Sequence, residues 1–366
     1  MAAELVSADT RPGRSCPLAY RYAPSVFARP PELQAHVLYV AGGVYGNLDA
    51  LIEIERMAAL ETCSPRLVFN GDFHWFDVAP ELFAEVDRRV GAGIALRGNV
   101  ETEIAADDDE NGCGCAYPPA VADADVDRSN RIAKRLRETA RAAECAQPHL
   151  RQRLAALPMH AVARVGRARI AVVHGDAWAL AGWAFAHDRL HDGTHVPQIE
   201  SMFEAAAVDV FACTHTCLPA LKLLMTPHGE RVIANNGAAG MPNFAGTRFG
   251  LLTRIATEPL PLHLEKLRCY GVAAAGVFID ALAIHFDVAT WQQRFLGLWP
   301  AGSPAHASYW SRILQGPDFS VDDALGRAPV RNCVAGLRTY KGVAGPSREA
   351  GGSMAPKASA KRAPPC

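Results

Sequence analysis

Residues 39–51 read "YVAGGVYGNLDAL", and the succession of residue types in this stretch decides the fold class. An apolar run leads into a glycine-rich turn and then into a helix opening at Asn47, the build of a phosphate-handling strand–loop–helix. The continuation "LDALIEIERMAAL" (48–60) sets Leu48, Leu51, Ile52, Glu55 and Ala59 on one mostly apolar helical stripe. The loop offers Gly42, Gly43 and Tyr45 where a hydrolytic loop would carry acidic or histidine ligands.

Outward from this unit the rhythm repeats. "RLVFNGD" (66–72) predicts a strand ending in a polar turn, "ELFAEVDRRV" (81–90) a helix, and "IALRGN" (94–99) a further strand with a polar end. Alternating strands and helices predict α/β layers, whose ligands collect at the carboxyl ends of the strands. Residues 105–125, "AADDDENGCGCAYPPAVADAD", break the rhythm as an inserted acidic loop, and "VDRSNRIAKRLRETARAAEC" (126–145) predicts a helix with a basic, solvated face. A hairpin turning near Gly166 follows, and then strands at "DVFACTHT" (209–216), "ERVIANNG" (230–237) and "GLLTRIA" (250–256). The mixture fits two stacked sheets flanked by helices. The expected organisation is an irregular lead-in over 1–35, a main domain over 36–265 with the insertion at 105–145, a C-terminal appendage over 266–335 and a disordered tail over 336–366.

Composition narrows the function classes. Of the 366 residues, 49% are apolar and 20% charged, with a formal net charge of −1, so nothing pulls the chain as a whole toward nucleic acid or anionic lipid. No apolar run approaches the ~18–20 residues a bilayer span needs, and the first residues lack the apolar centre of a secretory signal. The ten cysteines do not form a dense disulfide framework, so mostly reduced thiols and a cytoplasmic setting are expected.

Several strands end in residues that suit a metal. "FNGD" supplies Asp72 with His74 two residues on; "LRGNVE" supplies Asn99 and Glu101; "VVHGD" supplies His174 and Asp176; "ACTHTCLP" supplies His215 and Cys217. A carboxylate, an amide oxygen and two imidazoles make a mixed ligand set that favours Mn, Fe or Zn over Ca.

In this order the motifs resemble the calcineurin-like metallophosphoesterase superfamily, which reads D-x-H-G-N, G-D, G-N-H-E, H-G, G-H-T-H-x-P and N-P-G-S. This chain gives "GVYGN", "GD", "GNVE", "HGD", "THTCLP" and "NNGAAGMP" between about residues 36 and 258. The resemblance implies a four-layer α/β/β/α sandwich with metal held above the sheets. It also implies that Asp72, Asn99, His174 and His215 keep the ligands of one of the family's two metal sites. The other site is dismantled: its ligand positions hold Gly43, Tyr45 and Cys217, and the position of the general-acid histidine holds Val100. One divalent ion is therefore expected. His74 is a candidate replacement acid or ligand and Glu101 a candidate orienting group. Tyr45 and Cys217 are candidate replacement ligands, and Cys113 and Cys115 candidate thiolates if the acidic loop folds over the site. Asn47, Arg97 and Asn236 are candidate contacts to a phosphorylated small molecule, with Arg248 a further one. The expected function is single-metal phosphoester hydrolysis. The alternatives are a non-catalytic descendant that binds a phosphorylated ligand or partner, and a metalloenzyme of altered reaction using the Cys217 thiol.

Overall fold

The computed structural model describes residues 9–327, so the tail expected from 336 lies outside the described residues. Two six-stranded sheets form the centre. The first runs in the order β11 (Arg268–Ala274), β12 (Val277–Ile284), β10 (Gly250–Ala256), β2 (Val37–Ala41), β3 (Arg66–Asn70), β4 (Ile94–Leu96). The second runs β1 (Leu33–Ala35), β5 (His160–Val165), β6 (Ala168–Val173), β7 (Val210–Cys213), β9 (Gly229–Asn235), β8 (Ala220–Thr226).

Strand β2 shows why the layers stack. Leu38 and Val40 point into a cluster shared with Ala163, Ile170, Val172, Val210 and Val232 of the other sheet. Tyr39 and Ala41 point the opposite way, toward a helical layer. With side chains alternating at period two, a strand buried on both faces must be apolar throughout, and β2 is buried at every position. The first helical layer holds α1 (Leu48–Ala59), α2 (Pro80–Val90), α3 (Asn99–Ala105), α4 (Asp123–Ala143) and α5 (Leu150–Ala156). Beyond the second sheet, α6 (His187–His191) and α7 (Val196–Ala206) bring Leu190, Ile199, Met202 and Phe203 onto Val162, Phe211 and Ile233. Helix, sheet, sheet, helix is the four-layer sandwich.

Strands β2, β3 and β4 are parallel, as are β6, β7 and β9, so the carboxyl-end loops of each triplet share one end of its sheet. The α1 stripe differs from expectation: Ala50, Leu51, Ile54 and Met57 are buried, and Ile52 is 44% exposed. The sheet lies against a face centred one residue from the expected one. Asn99 is the first residue of α3 rather than a strand end.

The expected boundaries at 35/36 and 265/266 do not separate structural units. Strand β1, inside the expected lead-in, pairs in parallel with β5. Strands β11 and β12 pair antiparallel, and β12 pairs with β10 along its length, so residues 268–284 complete a sheet of the main domain. The run "VFIDALAI" (277–284) is largely apolar, and periodicity alone does not tell such a run from a buried helix segment. The helices α8 (Val288–Leu298), α9 (Pro304–Gln315) and α10 (Val321–Ala324) follow. Trp291, Phe295 and Trp299 pack into the first helical layer, and the Trp299 indole donates to Phe76 O at 2.9 Å. Among the described residues no helix is long and apolar enough to cross a membrane.

Candidate metal centre

Four side chains meet at the strand ends. The donor atoms of Asp72, His174 and His215 all lie within 4.8 Å of one another. His174 Nε2 is the hub, 3.3 Å from Asp72 Oδ1, 3.1 Å from Asn99 Oδ1 and 3.2 Å from His215 Nδ1. All four residues are at most 5% exposed.

Each ligand is oriented from behind. The His174 Nδ1–H donates to Asn70 O at 2.9 Å, and the His215 Nε2–H donates to Cys115 O at 3.0 Å. The Asn99 Nδ2 donates to Cys113 O at 2.9 Å, which turns its Oδ1 inward. These outward bonds fix the tautomers and the amide. The consequence, with His174 neutral, is an electrostatic conflict: a carboxylate oxygen, an amide oxygen and two imidazole lone pairs converge, and only the Val100 N–H, 3.2 Å from Asp72 Oδ1, eases it. A cation removes the conflict. An ion ~2.1 Å from each donor sets neighbouring donors roughly 3.0–3.4 Å apart, depending on geometry, which matches the three distances to His174 Nε2. The residues present fit a divalent ion.

Titration agrees with this geometry. Burial works against ionisation of Asp72, but the His174 imidazole beside it brings its pKa below the usual value. Burial opposes protonation of His174 too, and the Asp72 carboxylate outweighs it, so its pKa lies above the usual 6.5. His215 is held neutral, pushed down to about 3 by burial and then by His174.

The approach of the loops is tight. A Cβ on Gly98 would lie 2.3 Å from Asp72 Oδ1 and 2.8 Å from His174 Cε1, so only glycine lets α3 begin here. Asp72 itself sits at φ 53°, and Tyr45 and Cys217 at φ 56° and 61°. Left-handed backbone at three non-glycine positions around one site is strain sustained by its surroundings. Among the supports are Tyr45 N to Asp72 O at 3.1 Å and Cys217 N to Thr214 O at 3.0 Å.

Glu101 lies behind the ligands. Its carboxylate accepts from Asp72 N and Gly98 N at 2.8 Å each, and from His74 N at 3.2 Å. Burial, and then the Asp72 carboxylate, push its pKa up to about 7. It ties the Asp72 turn to the start of α3 and so positions ligands.

The other candidates go elsewhere. His74 does not reach the cluster: it is fully buried, its Nδ1 lies 2.5 Å from Asp77 Oδ2, and its ring stacks on Phe83 at 3.7 Å. An aromatic wall and a carboxylate on the far side of the turn capture it. Tyr45 and Cys217 do not join the ligand group but contact each other, phenol oxygen to thiol sulfur at 2.9 Å. Burial raises both pKa values, so the phenol and thiol stay protonated and pack together as a neutral pair. Asn47 caps α1, accepting from Ala50 N at 3.2 Å and donating to Gly240 O at 3.0 Å. Asn236 pins two backbones, donating to Gly42 O and Leu251 O at 3.0 Å each. Arg97 donates to Ala155 O at 2.8 Å and Arg248 to Leu314 O at 3.1 Å. These four perform structural tasks that sequence position alone did not reveal.

The acidic loop does fold over the centre, yet Cys113 and Cys115 contribute carbonyls rather than thiolates. Both thiols are free and buried. Trp183, which the sequence did not single out, donates to the same Cys115 O at 3.0 Å and lies 5.4 Å from the His215 ring. Backbone acceptors carry no side-chain signature, so "GCGC" pointed to the right place for the wrong atoms.

No protein-family model matches this chain, and no curated protein matches it. Solved structures to which it is similar include a hypothetical protein from Pyrococcus horikoshii, at 15% identity over 78% of this chain and 100% of that one, TM-score 0.49. Another is a metallophosphoesterase from Sphaerobacter thermophilus, at 17% identity over 77% of this chain and 100% of that one, TM-score 0.45. A phosphoesterase from E. coli is similar at 14% identity over 60% of this chain and 87% of that one, TM-score 0.30. At these identities and scores the reading of the site rests on the chain's own donor atoms. Metallophosphoesterases are thus among the solved structures that this chain is similar to, as its motif order implies.

Proposed function

We propose that this protein is a metal-dependent phosphoester hydrolase with a single divalent ion, Mn, Fe or Zn, held by Asp72, Asn99, His174 and His215. The observation that carries the reading is the convergence of three acceptor atoms on His174 Nε2, at 3.1–3.3 Å, with both imidazoles locked from behind. Bound there, the ion supplies Lewis acidity toward a phosphoryl oxygen and lowers the pKa of water.

The chain's own residues set the limits of the chemistry. His174 and His215 keep their lone pairs inward because Asn70 O and Cys115 O take their protons. Glu101 keeps Asp72 and Asn99 in register through the backbone N–H groups of Asp72 and Gly98. Val100 has no proton to give a leaving group, and His74 is held away by Asp77. Loss of a general acid costs about 10²–10⁴ in rate, so substrates with good leaving groups are favoured. Turnover of bis-p-nitrophenyl phosphate with Mn²⁺, abolished by a chelator and by His174→Ala, tests the proposal. Equal turnover by His174→Ala would refute it.

A second reading, a non-catalytic metal protein that binds a phosphorylated ligand, is favoured by one observation. The Tyr45–Cys217 pair closes the position of the missing ion, and Arg312 of α9 seals its edge by donating to Cys217 O at 2.8 Å. Stoichiometric ion binding without turnover of any phosphoester in a nucleotide and aryl phosphate panel selects this reading.

A further inference from the structure

The carbonyls that orient Asn99 and His215 belong to a loop, residues 111–117, with no regular structure. Something must hold it. Gly13, from the N-terminal segment, bonds both ends: its N–H donates to Asn111 O and its carbonyl accepts from Tyr117 N, each at 2.9 Å. The neighbouring Arg14 is 4% exposed. Its guanidinium donates to Pro118 O at 2.6 Å and to Val121 O and Asp123 Oδ1 at 2.5 Å each, with Tyr117 O at 3.5 Å. Asn130 of α4 completes the joint, donating to Pro12 O at 3.0 Å and accepting from Cys113 N at 2.9 Å. Further along, the Tyr20 hydroxyl donates to Glu103 Oε1 at 2.5 Å, on the helix that Asn99 opens.

We propose that Gly13 and Arg14 are positioning residues of the metal centre: the N-terminal segment is a strap that clamps the 111–117 loop, and through Cys113 O and Cys115 O it holds Asn99 and His215 in ligating orientation. The inference rests on the metal reading above. Gly13 suits the role because it adopts φ +79° and a Cβ there would lie 2.7 Å from Asn130 Oδ1 and 2.9 Å from Val126 Cγ1. Arg14 suits it because its rigid planar fork of donors holds several acceptors in fixed directions. With the strap displaced, the loop loses its anchors, the imidazole of His215 loses its fixed tautomer, and an ion gains an exit.

The test uses the full chain and Mn²⁺ or Zn²⁺ alone as the probe. Two readouts are the dissociation constant, by competition with a fluorescent chelator, and the rate at which excess EDTA strips the bound ion. Loss of outer partners of metal ligands typically weakens affinity about 10–100-fold, so Arg14→Ala and Gly13→Ala are expected near the lower figure, with faster stripping. Arg88→Ala, at an exposed pair with Glu85 in α2, stays at the wild-type rate. Phe27→Leu weakens packing in the far helical layer without touching the loop, and so controls for stability alone. Near-UV circular dichroism checks folding; if Arg14→Ala does not fold, Gly13→Ala decides. Folded variants that keep the wild-type constant and stripping rate overturn the strap but leave the metal reading intact. A wild-type protein that takes up neither ion overturns both.

Discussion

Replacing Asp72 by asparagine separates the role of its charge from the role of its shape. Asp72 sits at φ 53°, a conformation asparagine tolerates better than most residues, so the turn should survive. Val100 N, at 3.2 Å, and His174 Nε2, at 3.3 Å, face the same Asp72 Oδ1, so an amide turned with its N–H₂ toward His174 gives up the bond from Val100 N and gains one to the imidazole. The variant therefore supplies a hydrogen to the converging acceptors. Without metal, its melting temperature should stay within a few degrees of wild type. With metal the two should diverge. An ion at 100 times its dissociation constant stabilises the wild type by about 2.7 kcal/mol. At about 2.1 cal/mol/K per residue, unfolding of residues 9–327 carries an entropy near 0.67 kcal/mol/K, so the expected rise is roughly 4 °C. Thermal melts of chelator-stripped protein, with and without excess Mn²⁺ or Zn²⁺, read both quantities. Asp72→Asn should show no rise. A wild type with no rise, or an Asp72→Asn variant with the full one, would refute the reasoning from acceptor geometry.

Other consequences are open to the same instruments. His74→Phe keeps a ring against Phe83 but leaves the buried Asp77 unpaired, which should cost about 3 kcal/mol in urea melts without changing ion affinity. Tyr45→Phe removes the contact to Cys217 and should leave the dissociation constant within about twofold, since neither group ligates. Trp299→Ala removes an indole 1% exposed and bonded to Phe76 O, and should lower stability by about 3–5 kcal/mol. Ion affinity should fall with acid, because the ion and a proton compete for His174 Nε2. His174 has a pKa raised above 6.5 in the metal-free fold, so its protonation stabilises that fold fully below 6.5, and this contribution disappears as pH rises through the raised value. Ion binding runs the other way, weakening about tenfold per pH unit below that raised value in isothermal titration.

The sequence by itself determined the strand–loop–helix at 39–51, the alternation that builds two sheets, and the placing of Asp72, His174 and His215 just past strand ends. These follow from local rules: side-chain periodicity separates strand from helix, and parallel strands deliver their polar ends to one side. Which atoms face one another was decided only in three dimensions. His74 stands two residues from Asp72 and yet turns to Asp77, because a single turn of backbone sends neighbouring side chains to opposite sides. Asn47 and Asn236 match loop positions that could touch a substrate, but unpaired backbone groups nearby claimed their amides. The carbonyl of Cys115 that meets His215, and the Gly13 clamp on Asn111 and Tyr117, join positions about a hundred residues apart through main-chain atoms every residue type possesses. Side-chain chemistry is written in the letters of a sequence; backbone chemistry acquires a role only when folding gives it a partner.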